Sequence, residues 1–174
     1  MGQTRFDSFL AKKLSTYLLL TPRELNALAE LQSAKLTVKR GEQLTHQGQS
    51  ENQVFVLQVG WGSSYKDLPN GNRQIIWIPI PGDIVGLRSV LLKTMDHSFT
   101  ALTDAEVSPV EGTRITKCVI EFPRLGEALL WAASRDEAMV VEHLVSIGRR
   151  NGIERTAHFF MELAERLNLG RPQS

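Results

Sequence analysis

Short apolar runs broken by turn residues fill the middle of this chain, and helical periodicities bracket them on both sides. From Ala34 to about Pro109 the interruptions are Lys39-Arg40-Gly41, Gln47-Gly48-Gln49-Ser50, Gly60-Trp61-Gly62, Pro69-Asn70-Gly71-Asn72, Pro81-Gly82-Asp83 and Thr103-Asp104. Turns at that spacing predict an all-β barrel or sandwich of short strands. Val54–Val59 and Gln74–Ile78 are its clearest strands. Asn70-Gly71 predicts a hairpin, because both residues accept positive φ. Pro79 and Pro81 cannot donate to a ladder, which puts the strand before them near a sheet edge.

Ahead of this region, Thr21-Pro22-Arg23-Glu24 is a helix start, with Thr21 as cap, Pro22 in the first turn and Glu24 closing a capping box. Leu25, Leu28, Ala29 and Leu31 share one face, so the helix should run from about Pro22 to Ser33. Leu14 to Leu20 predicts a short helix or arm lying on the domain. Beyond Thr113 the pattern stays helical. Phe122-Pro123 opens a short helix through Trp131, and Ala133 to about Asn151 reads as one long helix.

That long helix carries two apolar stripes: Ala138, Val141 and Val145 with Gly148, and Val140, Leu144 and Ile147. A helix apolar on two faces needs two partners. One face is expected on its own barrel and the other on the same helix of a second copy, with Ala138, Val141, Leu144, Val145 and Gly148 at the seam. The alternative is burial inside a larger monomer. Asn151-Gly152 breaks the helix, and Ile153 to Leu167 forms another with Ala157, Phe160, Leu163, Ala164 and Leu167 on one face.

Composition narrows the field. A chain of 174 residues, 42% hydrophobic and 22% charged, has room for one main domain plus an appendage. A net charge of +1 provides no global basic field for nucleic acid. No apolar run approaches the roughly 20 residues of a membrane span. The stretch Met1–Leu10 carries Arg5 and Asp7 and lacks a signal core, so a cytoplasmic location is expected. The single cysteine, Cys118, excludes an internal disulfide and a four-thiolate cluster from this chain. Among Ile115, Val119 and Ile120 it reads as a core thiol, although Lys117 beside it would lower its pKa slightly in a redox role.

The four histidines, His46, His97, His143 and His158, are scattered and read as structural or surface residues rather than ligands. No His-x-His pair of a metal-dependent cupin, no Gly-x-Ser-x-Gly elbow and no Gly-x-x-x-x-Gly-Lys loop occurs, so no enzyme is expected. Arg149, Arg150, Arg155 and Arg166 are balanced by Glu142, Glu154, Glu162 and Glu165 and read as hinge and surface charges.

The order is thus helix, short-strand barrel, short helix, two-faced long helix, glycine break, helix. Together with Gly41-Glu42, His46-Gln47-Gly48, Gly60, Pro81-Gly82-Asp83 and Gly86, it resembles the Crp/Fnr family of bacterial transcription regulators over about residues 20–168. Arg149 to His158 looks like the end of that family's dimer helix and the start of the next, and the chain resembles in particular the Fix/Fnr-like regulators of α-proteobacteria. The resemblance implies an α+β fold: a double-stranded β-helix (jelly-roll) barrel of the cyclic-nucleotide-binding type, flanked by an N-terminal helix and a long C-terminal dimerisation helix. It implies an N-terminal arm over 1–20, the barrel domain with flanking helices over 21–131, the dimerisation helix over 132–152 and the first helix of a DNA-binding domain over 153–174. The chain would then be the sensing and dimerising part of a cytoplasmic regulator that works as a homodimer. An effector in the barrel would control DNA binding by a helix-turn-helix that this chain does not contain.

The resemblance places the effector pocket at Gly86, Leu87, Arg88, Ser89, His97 and Ser98. In cyclic-AMP-binding relatives a glutamate follows the glycine and holds the ribose, and an arginine–serine pair about ten residues later grips the cyclic phosphate. Here those positions read Leu87 and His97-Ser98. Leu87 offers no acceptor, and an imidazole cannot fork onto phosphate as a guanidinium does. Losing such a contact costs about 2–5 kcal/mol, or roughly 30-fold to several thousandfold in affinity. Cyclic AMP is therefore not the expected ligand, and any effector is an unidentified small molecule. Arg88 either meets a different anion or is a loop arginine. The cysteine-poor N-terminal stretch does not fit the iron–sulfur cluster of oxygen-sensing relatives, so no cofactor is expected. Two alternatives stand beside this reading. One is a reader-less module that pairs with and inhibits a full-length regulator; the other is a small cupin-like metal-dependent enzyme.

Overall fold

A computed structural model describes residues 8–50 and 52–169. Eight strands form two four-stranded antiparallel sheets. They are β1 (Leu36–Val38), β2 (Gln43–Thr45), β3 (Gln53–Val59), β4 (Gly62–Asp67), β5 (Arg73–Trp77), β6 (Ile84–Val85), β7 (Ser98–Ala101) and β8 (Ala105–Glu111). The first sheet runs β1-β8-β3-β6 and the second β2-β7-β4-β5. The helices are α1 (Phe9–Ser15), α2 (Pro22–Leu31), α3 (Ser89–Leu92), α4 (Gly112–Glu121), α5 (Pro123–Arg149) and α6 (Gly152–Leu169).

The unbroken apolar run in β3 is explained by its position. Successive side chains point to opposite faces of a strand, and both faces of β3 are covered. Phe55 and Leu57 turn inward onto Val38, Phe99 and Val107 between the sheets. Val54 and Val56 turn outward onto Leu10, Leu14, Leu28, Leu125 and Ala128 of the helices. Register with β8 pairs Val54 with Val110 and Leu57 with Val107, so β8 serves both cores too.

Several sequence expectations hold. The hairpin at Asn70-Gly71 joins β4 to β5, with Gly71 N donating to Leu68 O at 2.9 Å. β5 ends before Pro79 and is an edge strand. α2 carries the full capping box: Glu24 N reaches Thr21 Oγ1 at 3.3 Å and Thr21 N reaches Glu24 Oε2 at 2.7 Å. Cys118 is buried and burial pushes its thiol pKa up.

Three expectations need correction. The helix placed at Leu14–Leu20 lies earlier, at Phe9–Ser15, because Ser8 caps it by accepting from Ala11 N at 3.1 Å. The part of the N-terminal arm before Ser8, and the C-terminal stretch Gly170–Ser174, lie outside the described residues. The two helices over 122–131 and 133–151 are one helix of 27 residues, since Ala132-Ala133 contains nothing that breaks a helix. Its first half buries Leu125, Ala128 and Ala132 against the barrel. Its second half buries neither apolar stripe: Val141 is 52% exposed and Leu144 65%, and Val140, Val145 and Ile147 are similarly open. The stripe expected on the barrel is therefore also free in this chain. α6 turns back antiparallel along α5, pairing Glu165 with Arg135, Glu162 with His143 and His158 with Glu142.

Candidate functional site

The six candidate residues lie along the connection from β6 through α3 to β7. Gly86 turns the chain with φ of +81°, a value L-residues rarely adopt. A Cβ there would also stand 2.8 Å from the Met95 methyl, and Met95 is almost fully buried. Leu87 packs on the helix-side core, as an apolar residue should. Ser89 donates its hydroxyl to Gly86 O at 2.7 Å, and Lys93, in the left-handed region, donates its ammonium to Val90 O at 2.6 Å. Met95 ties the segment to the turn after β2: its N–H donates to Gln49 O at 2.9 Å and its carbonyl accepts from Gly48 N at 2.8 Å.

Arg88 and His97 converge on a residue that the sequence did not single out. Arg88 Nη2 lies 3.0 Å from Asp96 Oδ2, and His97 Nδ1 lies 2.7 Å from Asp96 Oδ1. The hydrogen bond to His97, with the charges of His97 and Arg88, outweighs partial burial and holds the Asp96 carboxyl below its ordinary range. Ser98 is buried and accepts from Gln47 N at 3.0 Å. The structure thus gathers all six residues but turns both candidate cations onto a carboxylate of the same segment. A phosphate bound by Arg88 and His97 would have to take both from Asp96.

A second polar cluster overturns the reading of Arg166 as a surface charge. Its side chain is only 6% exposed. Nη2 donates to Asp83 Oδ2 at 2.6 Å and to Ile78 O at 2.9 Å, and the guanidinium lies 4.0 Å from the centre of the Trp77 ring. Lys13 donates to the other Asp83 oxygen at 2.9 Å and stands 3.5 Å from Asp136. Burial would raise the Asp83 carboxyl, but Lys13, Arg166 and the Ile80 N–H outweigh it and hold the group low. Nearby, Glu162 also sits below its ordinary range: burial raises it, but the hydrogen bond and charge of His143, then Arg166, prevail. Of the other arginines in that expected set, Arg149 and Arg155 are exposed, whereas Arg150 is half-buried with Nη2 at 3.7 Å from Glu142 Oε2. A hollow of about 660 Å³ opens elsewhere, between α2 and α4, with Arg23, Arg114, Lys117 and Cys118 among its walls. Among the described residues no three histidine, cysteine or acidic side chains are placed to share a metal.

Residues 35–120, the whole barrel and most of α4, match the model of the cyclic nucleotide-binding domain family. The transcriptional activator protein anr of Pseudomonas aeruginosa is 26% identical over 147 residues, covering 84% of this chain and 60% of its own length. The chain is thus similar to the Crp/Fnr regulators. The nitrogen fixation regulation protein FixK of Rhizobium meliloti is 29% identical over 136 residues, 78% of this chain and 60% of that protein. FixK2 from Bradyrhizobium japonicum shares the fold with a TM-score of 0.70 at 24% identity, over 76% of this chain and 66% of that one. The chain spans about 60% of the length of these curated relatives, which are named as regulators rather than enzymes. No helix among the described residues is long and apolar enough to cross a membrane.

Proposed function

We propose that the chain is the sensing and dimerising part of a bacterial transcription regulator, working as a homodimer in the cytoplasm. The observation that carries this is the open apolar face of α5, from Ala138 through Val141, Leu144 and Val145 to Gly148, beside a family barrel. Fully burying each large side chain of such a face gains about 1.5–3 kcal/mol, and a second α5 supplies a matching surface by two-fold symmetry. Sequence-specific contact with DNA falls to a helix-turn-helix, which α6 alone does not supply. Sedimentation should report twice the chain mass. Val141→Glu should give the single-chain mass, because a carboxylate at the seam cannot stay hydrated; a monomer in the unaltered protein would refute the reading.

The effector is a small molecule other than cyclic AMP. Leu87 supports this by lacking a ribose acceptor, and Asp96 by occupying Arg88 and His97. Calorimetry with cyclic AMP and cyclic GMP should show no binding tighter than about 100 μM. A micromolar isotherm would overturn this part while leaving the dimer intact.

A further inference from the structure

The hollow of about 660 Å³ between α2 and α4 lies outside the β6–α3–β7 segment, and its size is that of a small-molecule site. Two contacts fix how the helices flank it. Arg114 Nη2 donates to Glu30 O at 2.9 Å, and Arg124 Nε, just past α4, stands 3.7 Å from Glu24 Oε1. α2 and α4 therefore run antiparallel. Arg114 shares one end of the hollow with Glu30, and Arg23 shares the other with Glu121. Each end thus carries one cation and one carboxylate, and its charge is balanced. Lys117, between the ends, has no such counterpart: among the described residues its ammonium meets no ion-pair or hydrogen-bond partner. The amide of Asn26, also mid-way along the hollow, has none either. It sits in the interior of α2, where asparagine favours a helix less than most residues. Behind these two the wall is apolar. Ala27, Leu31 and Phe122 are half-buried against the helix-side core and leave the rest of their surface to the hollow.

We propose that this hollow binds a small organic monocarboxylate, held by Lys117 and Asn26, with its apolar body on Ala27, Leu31 and Phe122. An ammonium is a compact point charge, and the asparagine amide adds donors beside it, so the pair suits one carboxylate. An apolar wall with a small number of polar groups that fix orientation is the usual make-up of a small-molecule site. The two ends set the limits of the ligand. Arg23 and Glu30 stand seven residues apart on α2, about 10 Å at the helical rise, which fits a fused-ring or medium-chain body. Each end is already neutral and offers a second negative charge no net attraction, so a dicarboxylate gains nothing over a monocarboxylate. The site is separate from β6, α3 and β7. It stands whatever the barrel binds and whether or not the chain dimerises.

Titrating the whole chain with naphthoate and following the amide NMR shifts tests the site. The shifts should centre on residues 23–31 and 114–122. Naphthamide, the neutral isostere, should bind about tenfold more weakly, because it brings no charge to the ammonium. Naphthalene dicarboxylate should bind no tighter than naphthoate. Lys117→Gln should weaken naphthoate about tenfold and leave naphthamide unchanged. Lys117 is exposed, so this variant keeps its fold. Lys66→Gln, at an exposed position of β4, should alter neither ligand. The proposal is overturned if no shifts appear, if they are confined to the open stripes of α5 or the outer face of α6, if acid and amide bind equally, or if Lys117→Gln binds naphthoate as the unaltered chain does.

Discussion

Asp83 is the residue on which the most elements converge: α1 through Lys13, the β5–β6 turn through Ile80 N, and α6 through Arg166. Its folded pKa is depressed, so the stability it contributes is fully present above its unfolded value of ~3.9 and lost as pH falls below that toward the folded value. Asp136 acts in the opposite sense, since burial raises it, but its side chain is 41% exposed and its part is small. Asp83→Asn should cost about 3 kcal/mol near neutral pH, because it strands two buried cations. It should also flatten the fall in stability below about pH 4. Urea titrations at pH 7 and pH 3.5 measure both; an unchanged acid slope would exclude Asp83 as its source. None of this was legible in the sequence. Arg166 has a glutamate one turn earlier and reads as a solvated helix charge, while its true partner is 83 residues away. Asp96 stands next to His97 in the sequence, but nothing in the sequence shows that Arg88, eight residues earlier, folds back onto it.

At the scale of elements, local chemistry was the reliable guide. Thr21-Pro22-Arg23-Glu24 specifies the start of α2 with every group contributed from within four residues, and the structure realises each bond. Thr21→Ala should therefore cost about 1 kcal/mol, lowering Tm by about 2–4 °C in a chain of this size; no shift in calorimetry would show that packing alone holds α2. α1 was placed too late, because Leu14 to Leu20 is a denser apolar run than Phe9 to Leu14, and only the Ser8 cap separates the two registers. The division of α5 failed for a related reason. Its surroundings change from barrel contact at Ala132 to an open stripe at Val140, and in the sequence such a change resembles a break in the backbone.

For the whole molecule, turn spacing alone indicates a barrel or sandwich of short strands, and the jelly-roll topology of the two sheets follows from the family resemblance. The packing of α6 was not legible, since periodicity identifies an apolar face without saying whether it points inward. Here it points outward, and the direction of α6 is set at a very short joint. Only Arg150, extended at φ −94° and ψ 144°, and Asn151 separate it from α5. An 18-residue helix is about 27 Å long. A rotation of roughly 30° at that joint would carry its far end through roughly 14 Å, taking chord geometry on the 1.5 Å rise per residue. The joint gives the molecule leverage: a small turn of the backbone at Arg150 is magnified along the rod into a far larger displacement of its other end.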